Sequence, residues 1–254
     1  YKINKTGTTI MTKRKKEVFT MIITGLAGYG DSLTQTSNLI YSILNSNNKK
    51  VSILDCKNLK DVKTLKSYIL EIQKNSSDFL ILKIDSKNFD QKLLDYVQFD
   101  IILHNNETDP VYGWDIYNYD ETIKKLLPYL SNEGTIILNE DFILNSSYLK
   151  DMEYVVVTYG FSSKADITTS SISDTLFGTE FIFYQQKSIK TIDGINIYPQ
   201  EYRINTDKTN TDIYTILGVV SFILVCGVNL NFNLPVPVST VCYNNEINAF
   251  YGSI

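Results

Sequence analysis

A glycine-rich segment between an apolar run and a helical pattern constrains the fold of this chain more than any other feature. The segment, GLAGYGD, occupies positions 25–31. The apolar run Val18–Thr24 before it predicts a buried strand, and Ser32–Asn45 after it has the spacing of a helix. A strand, a glycine turn and a helix N-terminus in this order form the setting in which backbone N–H groups hold phosphate oxygens. The sequence therefore predicts the frame of a nucleotide-binding site.

The charged and hydroxyl groups that such a site needs are missing from their expected positions. Tyr29 stands where a lysine would neutralise phosphate charge, and Gly30 stands where a hydroxyl would hold magnesium. Asp31 adds a carboxylate close to the place of the phosphate. We therefore expect a degenerate loop that forms a turn without holding a triphosphate. Its residues are Gly25, Gly28, Tyr29, Gly30, Asp31 and Ser32.

The chain alternates short apolar runs with helical spacing as far as residue 160. Such runs are typical of strands buried on both faces, and the helices between them make right-handed crossovers. The predicted strands after the first are Val51–Asp55, Phe79–Ile84, Ile101–His104, Thr135–Leu138 and Tyr154–Tyr159. The predicted helices after the first are Leu59–Lys74, Lys92–Val97 and Tyr119–Leu130. The fold class is therefore α/β. Three layers, α/β/α, are expected, and the middle layer is a mostly parallel sheet of the P-loop or Rossmann-like kind.

The pattern changes after Gly160. Short β-rich segments there predict a small antiparallel β extension, and they are Ile167–Ser173, Glu180–Tyr184, Ser188–Ile192 and Glu201–Ile204. An apolar helix, Asp212–Gly227, follows. Its apolar stretch is shorter than the roughly 20 residues that cross a bilayer. We therefore predict a buried core helix and no membrane span.

Composition narrows the function classes. The formal net charge is -4, so no overall positive charge favours nucleic acid. Cys56, Cys226 and Cys242 are odd in number and far apart, which is typical of free thiols in a reducing compartment. No charged segment followed by an apolar run opens the chain, so we expect no secretory signal. Together these features predict a cytoplasmic protein.

Six motifs occur in a consistent order along the chain. They are Thr24–Gly28, similar to TGTNGKTT; Phe99–Asn106 with Asp109, similar to DxxxxTNxxxDH; Tyr119–Leu127, similar to YxxAKxxLF; Ile136–Asp141, similar to xxxNxDD; Val157–Gly160 with Asp166–Ile167, similar to TYG…ADI; and Asp212–Val228, similar to HNxxNxLAAIA…GI. In this order they resemble the central ATP-binding domain of the Mur ligases and of folylpolyglutamate synthetase. The resemblance implies a central domain over residues 18–228, an N-terminal arm over 1–17, and a linker with the start of a C-terminal domain over 229–254.

The resemblance implies ATP-dependent amide formation, in which a phosphorylated carboxylate is attacked by an amine. That chemistry depends on lysine and Mg²⁺ to neutralise phosphate charge. By resemblance, Tyr29 replaces the phosphate-binding lysine, Lys83 replaces a magnesium-binding glutamate and Pro110 replaces a metal-binding histidine. Lys124 matches a carbamylated lysine of the family. The alternative is that Tyr29 packs at the sheet edge, Lys83 reaches solvent beside Asp85 and Lys124 is simply exposed.

The adenine-contact asparagines of the family correspond to Asp212 and Thr215. With so many positions changed, we expect lost ligase activity, no ATP or Mg cofactor, no metal site, and a role in binding a partner or small ligand. Two alternatives stay open: a working ATP- and Mg-dependent carboxylate–amine ligase of the cell-wall-precursor or folate type, and an accessory subunit of one. His104, the single histidine, ends a predicted strand. Without an acid partner it receives no catalytic role.

The C-terminal third predicts association. Residues 213–245 carry no charge, and the family's C-terminal domain would cover the apolar side chains that follow the helix. These side chains are Phe232, Leu234, Val236, Val238 and Val241. An apolar edge without cover is a pairing surface, so we expect a homo-oligomer or a protein partner. The alternative is a monomer in which this segment folds back along the β extension.

Overall fold

The computed structural model describes residues 21–105, 116–143, 146–149, 153–175, 178–206, 211–230 and 233–234. The described strands are β1 (Ile22–Gly28), β2 (Val51–Asp55), β3 (Phe79–Asp85), β4 (Phe99–His104), β5 (Leu130–Asn139), β6 (Val155–Tyr159), β7 (Ile167–Thr175), β8 (Gly178–Gln185), β9 (Ile189–Lys190), β10 (Asn196–Ile197), β11 (Gln200–Thr206) and β12 (Asn233–Leu234). The described α-helices are α1 (Gly30–Ser46), α2 (Val62–Lys74), α3 (Gln91–Leu94), α4 (Ile116–Leu126) and α5 (Ile213–Val225). Short 3₁₀ turns occur at Cys56–Asn58, Leu127–Tyr129, Glu140–Phe142 and Ser146–Leu149.

Among the described residues, ten strands form one sheet in the order β12-β11-β8-β7-β6-β5-β4-β1-β3-β2. The strands from β2 to β6 pair in parallel, as buried strands joined by crossover helices do. The β7–β8 and β8–β11 pairs are antiparallel. This extension is continuous with the main sheet, because Tyr159 of β6 pairs with Ile167 of β7. Strands β9 and β10 form a separate two-stranded sheet. The α/β prediction with a mostly parallel sheet and an antiparallel extension is confirmed.

Helices cover both faces of the sheet. On one face, α1 and α5 pack with the sheet in a core that includes Ile40, Leu103 and Phe222. On the other, α2, α3 and α4 pack in a core that includes Leu65 and Tyr119. Every residue of α5 from Thr215 to Val225 is buried, as expected for an uncharged helix enclosed by other elements. Within the described residues, no helix combines the length and the apolar character that crossing a membrane requires.

Capping side chains set the starts of three helices. The Asp61 carboxylate accepts a hydrogen bond from the Thr64 N–H at 2.8 Å, so α2 begins at Val62 and not at Leu59 as predicted. Asp90 caps α3 in the same way, and α3 covers Gln91–Leu94 where Lys92–Val97 was predicted. Asp212 caps α5.

Four expectations fall partly or wholly outside the described residues. β1 covers Ile22–Gly28 where Val18–Thr24 was predicted, and positions 18–20 lie outside the description. The predicted arm over residues 1–17, Pro110 and most of the C-terminal segment also lie outside it. Of that segment, Asn233 and Leu234 pair in parallel with Asn205 and Thr206 of β11, which places these two residues beside the β extension.

Candidate functional site

The junction between β1 and α1 has no phosphate-binding loop. The strand continues through Gly28, Tyr29 alone follows, and the helix begins at Gly30. Tyr29 is the N-cap residue in an extended conformation, and its side chain makes no capping hydrogen bond. The predicted turn from Gly25 to Gly30 is therefore shorter than expected and is restricted to Tyr29 and Gly30, because Gly25 and Gly28 belong to the strand.

Close packing explains why these strand positions are glycines. A Cβ atom on Gly28 would lie 2.2 Å from the carbonyl oxygen of Asn105, which is far inside contact distance. A Cβ atom on Gly25 would lie 3.2 Å from the ring of Phe99. Gly30 has φ 65, a left-handed conformation that favours glycine because a Cβ atom adds a steric cost there. The glycines of this segment thus serve packing and the strand-to-helix turn.

Lysines from β3 and its following turn lie near the junction. The Nζ atom of Lys87 lies 3.7 Å from the ring centroid of Tyr29, a cation–π contact. The Nζ atom of Lys83 lies 3.5 Å from Oδ2 of Asp55 and 3.4 Å from Oγ1 of Thr34. The side chain of Lys83 is 14% exposed and pairs with Asp55, so the alternative in which Lys83 reaches solvent beside Asp85 is wrong.

These positions do not fit magnesium. Mg²⁺ takes hard oxygen ligands, and an ammonium ion repels it. The Asp55 carboxylate already faces Lys83. In the part of the chain that the structure describes, no group of three histidine, cysteine or acidic side chains is arranged to hold a metal ion.

A buried network of polar side chains lies behind the helix N-terminus. The Nδ2 atom of Asn105 lies 2.7 Å from Oγ1 of Thr36, and 3.3 Å from both Oγ of Ser32 and Oγ1 of Thr215. The hydroxyl group of Tyr159 donates a hydrogen bond to Oδ1 of Asn105 at 3.1 Å. All of these residues are buried. The amide therefore joins four elements, β4, α1, β6 and α5.

This network brings together two of the predicted site residues. Ser32 was predicted at the phosphate and Thr215 at the adenine, but both hydroxyls face Asn105 inside the protein. Asn105 was not predicted as a site residue and belongs only to the Phe99–Asn106 motif. Its position directly after the buried strand β4, at the carboxyl edge of a parallel sheet, is the sequence signal that marks it.

His104 lies beside this network and is almost completely buried, at 1% exposure. Its ring meets the ring of Tyr119 edge to face, with centroids 4.3 Å apart. Neither ring nitrogen has a hydrogen-bond partner in the described structure. Burial without a partner disfavours the charged form and lowers the pKa of His104 to about 3. The imidazole is therefore neutral near pH 7.

The loop after β6 is held by Asp141. Its carboxylate accepts hydrogen bonds from the backbone N–H of Phe161 at 2.6 Å and of Ser162 at 2.8 Å. Tyr214 donates a further bond to Oδ2 at 3.2 Å. Asp212, an adenine-contact position by resemblance, accepts from the Thr215 N–H at 3.2 Å. Burial raises the pKa of Asp212, and the carboxylate acts as the N-cap of α5.

Lys124 lies on the surface of α4. Its Nζ atom lies 2.7 Å from Oε1 of Glu121, and both side chains are about half exposed, at 47% and 59%. The hydrogen bond to Glu121 raises the pKa of Lys124. A lysine must be neutral to react with carbon dioxide, so this environment disfavours carbamylation. Lys124 matches the alternative of a simply exposed lysine.

The Mur ligase middle domain family model matches residues 33–201. The chain belongs to this family. The resemblance found in the sequence is thereby confirmed. The matched region begins after the β1–α1 junction and ends before α5, so it includes neither residues 25–32 nor Asp212 and Thr215.

Known Mur ligases are similar to this chain in sequence and in fold, at low sequence identity. The UDP-N-acetylmuramoyl-L-alanyl-D-glutamate–2,6-diaminopimelate ligase of Chlamydia felis is 24% identical over 168 residues, which is 62% of this chain and 34% of that protein. A solved structure of a ligase of the same name has a TM-score of 0.60 at 15% identity, covering 82% of this chain and 43% of that one.

A MurF ligase from Thermotoga maritima, solved in complex with ADP, has a TM-score of 0.56 at 11% identity, with 83% of this chain and 47% of that chain covered. At such identities the structural likeness shows the fold. The chain spans less than half the length of each of these relatives.

Proposed function

We propose that this Mur ligase domain keeps the family fold without ATP-dependent amide-ligase activity, and that it acts by binding a partner or a small ligand. The observation that carries the proposal is the β1–α1 junction. A single tyrosine joins strand and helix there, so the backbone offers no loop to enclose a triphosphate. The proposal includes no ATP or Mg cofactor.

Electrostatics supports the same conclusion. Two unit charges 4 Å apart interact by about 4 kcal/mol at an effective dielectric constant of about 20, and Mg²⁺ carries two charges. Lys83 stands where the family has a metal-binding glutamate. Its ammonium group therefore replaces an attraction to Mg²⁺ of that size by a repulsion. Asp31 is exposed, so solvent screens its repulsion of a phosphate and its effect is the smaller one.

Titration of the whole chain with ATP, with and without Mg²⁺, tests the proposal by calorimetry. We expect no Mg-dependent binding in the micromolar range. Tyr29→Lys adds the missing charge and should produce weak, salt-sensitive ATP binding, whereas the matched control Tyr29→Phe should not. Gly30→Thr is unsuitable for this test because φ 65 would strain a threonine. Micromolar Mg-dependent ATP binding by the unmodified chain would refute the proposal.

The second candidate is a working carboxylate–amine ligase, or an accessory subunit of one. Family membership favours it, and so does the coverage, because the relatives are more than twice as long as the region they share with this chain. Residues from another chain or from a longer form of this one would then complete the site. An assay for ADP release with a full-length family ligase, with and without this chain, separates the candidates.

We also propose a cytoplasmic location and association through the C-terminal third. Both described cysteines, Cys56 and Cys226, are free and buried, as expected in a reducing compartment. The apolar composition of the segment after Leu230 supports association.

A further inference from the structure

Strand β2 forms one open edge of the ten-stranded sheet. Among the described strands it pairs with β3 alone. The carbonyl oxygen of Lys50 faces β3, where it accepts hydrogen bonds from two backbone N–H groups. Because successive residues of a strand direct their backbone groups to alternate sides, Ser52 and Leu54 also bond toward β3. Val51 and Ile53 therefore direct their N–H and C=O groups outward.

This edge lacks the features that usually protect an open strand. The sequence from Val51 to Leu54 contains no charged residue and no proline, and the β2–β3 register has no bulge. All five residues of β2 are partly exposed, whereas β3 is buried at every position except Lys83. An uncharged apolar strand with outward backbone groups is a template for another strand.

The sequence of β2 matches a second copy of itself in antiparallel order. When Ser52 of both copies lies at a two-fold axis, Val51 of each copy is opposite Ile53 of the other. The backbone groups of these two pairs face each other and can exchange N–H···O=C hydrogen bonds. Both side chains lie on the α1 face, and β-branched pairs are favourable across antiparallel strands. The Ser52 pair at the axis is one without hydrogen bonds, in which short side chains permit the close approach.

Charge at the two ends of β2 selects the same register. Lys49 precedes the strand and Asp55 ends it, so an axis at Ser52 places each lysine opposite the Asp55 of the other copy. Moving the axis one residue toward the carboxyl end brings Lys49 toward Lys57, where like charges oppose pairing. Asp55 also faces Lys83 of its own copy at 3.5 Å, so the cross-strand ion pair contributes more to register than to affinity.

We propose that two copies of this chain pair through β2, antiparallel about a two-fold axis at Ser52, so that their sheets become one continuous sheet. Two-fold symmetry is the commonest arrangement of soluble oligomers. One short strand edge buries less surface than a standard interface, so the dimer should be weak, with a dissociation constant of about 10–100 µM. Because β2 and β12 lie at opposite ends of the sheet, this contact is independent of the association proposed for the C-terminal third.

Proline at position 51 tests the outward hydrogen bonds. Val51→Pro removes an N–H group that faces away from β3, so it should block pairing between copies and leave the β2–β3 ladder intact. Val51→Ala is the matched control, because it shortens the side chain and keeps the N–H group. Sedimentation equilibrium of the full chains should show a dissociation constant raised about tenfold or more by Val51→Pro and no more than about threefold by Val51→Ala. The melting temperatures check that both variants remain folded.

Disulfide formation tests the register. Ser52→Cys places two thiols in a directly opposed pair whose Cα atoms should be about 4.5 Å apart, within the range of disulfide geometry. Lys50→Cys adds a thiol on the same face of β2, but its two copies should lie about 14 Å apart along the strands. Both variants also carry Cys242→Ser, which leaves the buried Cys56 and Cys226 as the native thiols. Mild oxidation of the full chains should cross-link Ser52→Cys about tenfold or more faster than Lys50→Cys.

The proposal is overturned if the full chain is a monomer at about 1 mM, or if Val51→Pro associates as strongly as the unmodified chain. It is also overturned if Lys50→Cys cross-links as fast as Ser52→Cys. A dimer that survives Val51→Pro and is lost when residues 231–254 are removed would assign association to the C-terminal third and not to β2.

Discussion

Acidification should destabilise this protein through His104, the single histidine of the chain. The unfolded chain takes up a proton on this residue near its ordinary pKa of 6.5, whereas burial lowers the pKa in the folded protein to about 3. Because the folded pKa is lowered, the contribution to stability is complete above pH 6.5. It is lost progressively as the pH falls toward 3.

The magnitude follows from the two pKa values. Each pH unit below 6.5 lowers the free energy of unfolding by about 1.4 kcal/mol, so at pH 5 the loss is about 2 kcal/mol. His104→Phe removes the titration while retaining an aromatic ring against Tyr119. Other partly buried acids, among them Asp100 and Glu140, titrate in both proteins, so the difference between the two proteins isolates His104.

Urea unfolding of both proteins at constant ionic strength, between about pH 7.5 and pH 5, measures this difference. The wild-type protein should lose about 2 kcal/mol relative to His104→Phe across that range. The single imidazole also gives one Hε1 NMR signal, whose shift should stay constant down to about pH 4. An imidazole signal that titrates near pH 6.5, or parallel pH dependence of the two proteins, would refute the reasoning.

Three further perturbations have defined outcomes. Asn105→Leu leaves the buried hydroxyls of the network without their shared partner. The free energy of unfolding, measured in urea, should therefore fall by about 2–4 kcal/mol. A loss below about 1 kcal/mol would contradict the network. Gly28→Ala forces a Cβ against a backbone carbonyl and should cost more than about 3 kcal/mol, whereas Gly25→Ala meets only a ring that can shift and should cost less; equal losses argue against the described packing. A chain ending after Leu230 keeps the described core, and sedimentation equilibrium should show it as a smaller assembly than the full chain; two monomers with the same melting temperature would exclude association through the C-terminal third.

The sheet was predictable because its strands carry a strong local signal. Phe79–Asp85 and Phe99–His104 are apolar runs bounded by polar residues, and strands buried on both faces have this composition. The end of β1 was not predictable in the same way. Glycine is typical of a turn, but in a strand it also marks the close approach of another backbone, here that of Asn105 to Gly28. Only the tertiary structure distinguishes these two uses of glycine.

The sequence predicted which residues of the candidate site are polar, but not the direction in which their side chains point. Ser32 and Thr215 are 183 positions apart in numbering and carry no sign that their hydroxyls meet one amide. Helical spacing places a residue on a face, but the polar partner across the core comes from another element. The pairing of Lys83 with Asp55 depends in the same way on the β2–β3 register, which sets these two residues side by side.

The inward direction of these side chains limits what a single substitution can restore. Tyr29→Lys supplies a positive charge at the helix N-terminus, and helix N-termini attract anions. It does not turn the Ser32 hydroxyl away from Asn105, and it does not lengthen a junction of one residue into a loop that encloses a triphosphate. The variant should therefore bind inorganic phosphate and ATP with similar weak affinity, since only one charge is gained. An affinity for ATP more than about tenfold above that for phosphate would mean that the junction opens into a loop, and the argument for lost nucleotide chemistry would then fail.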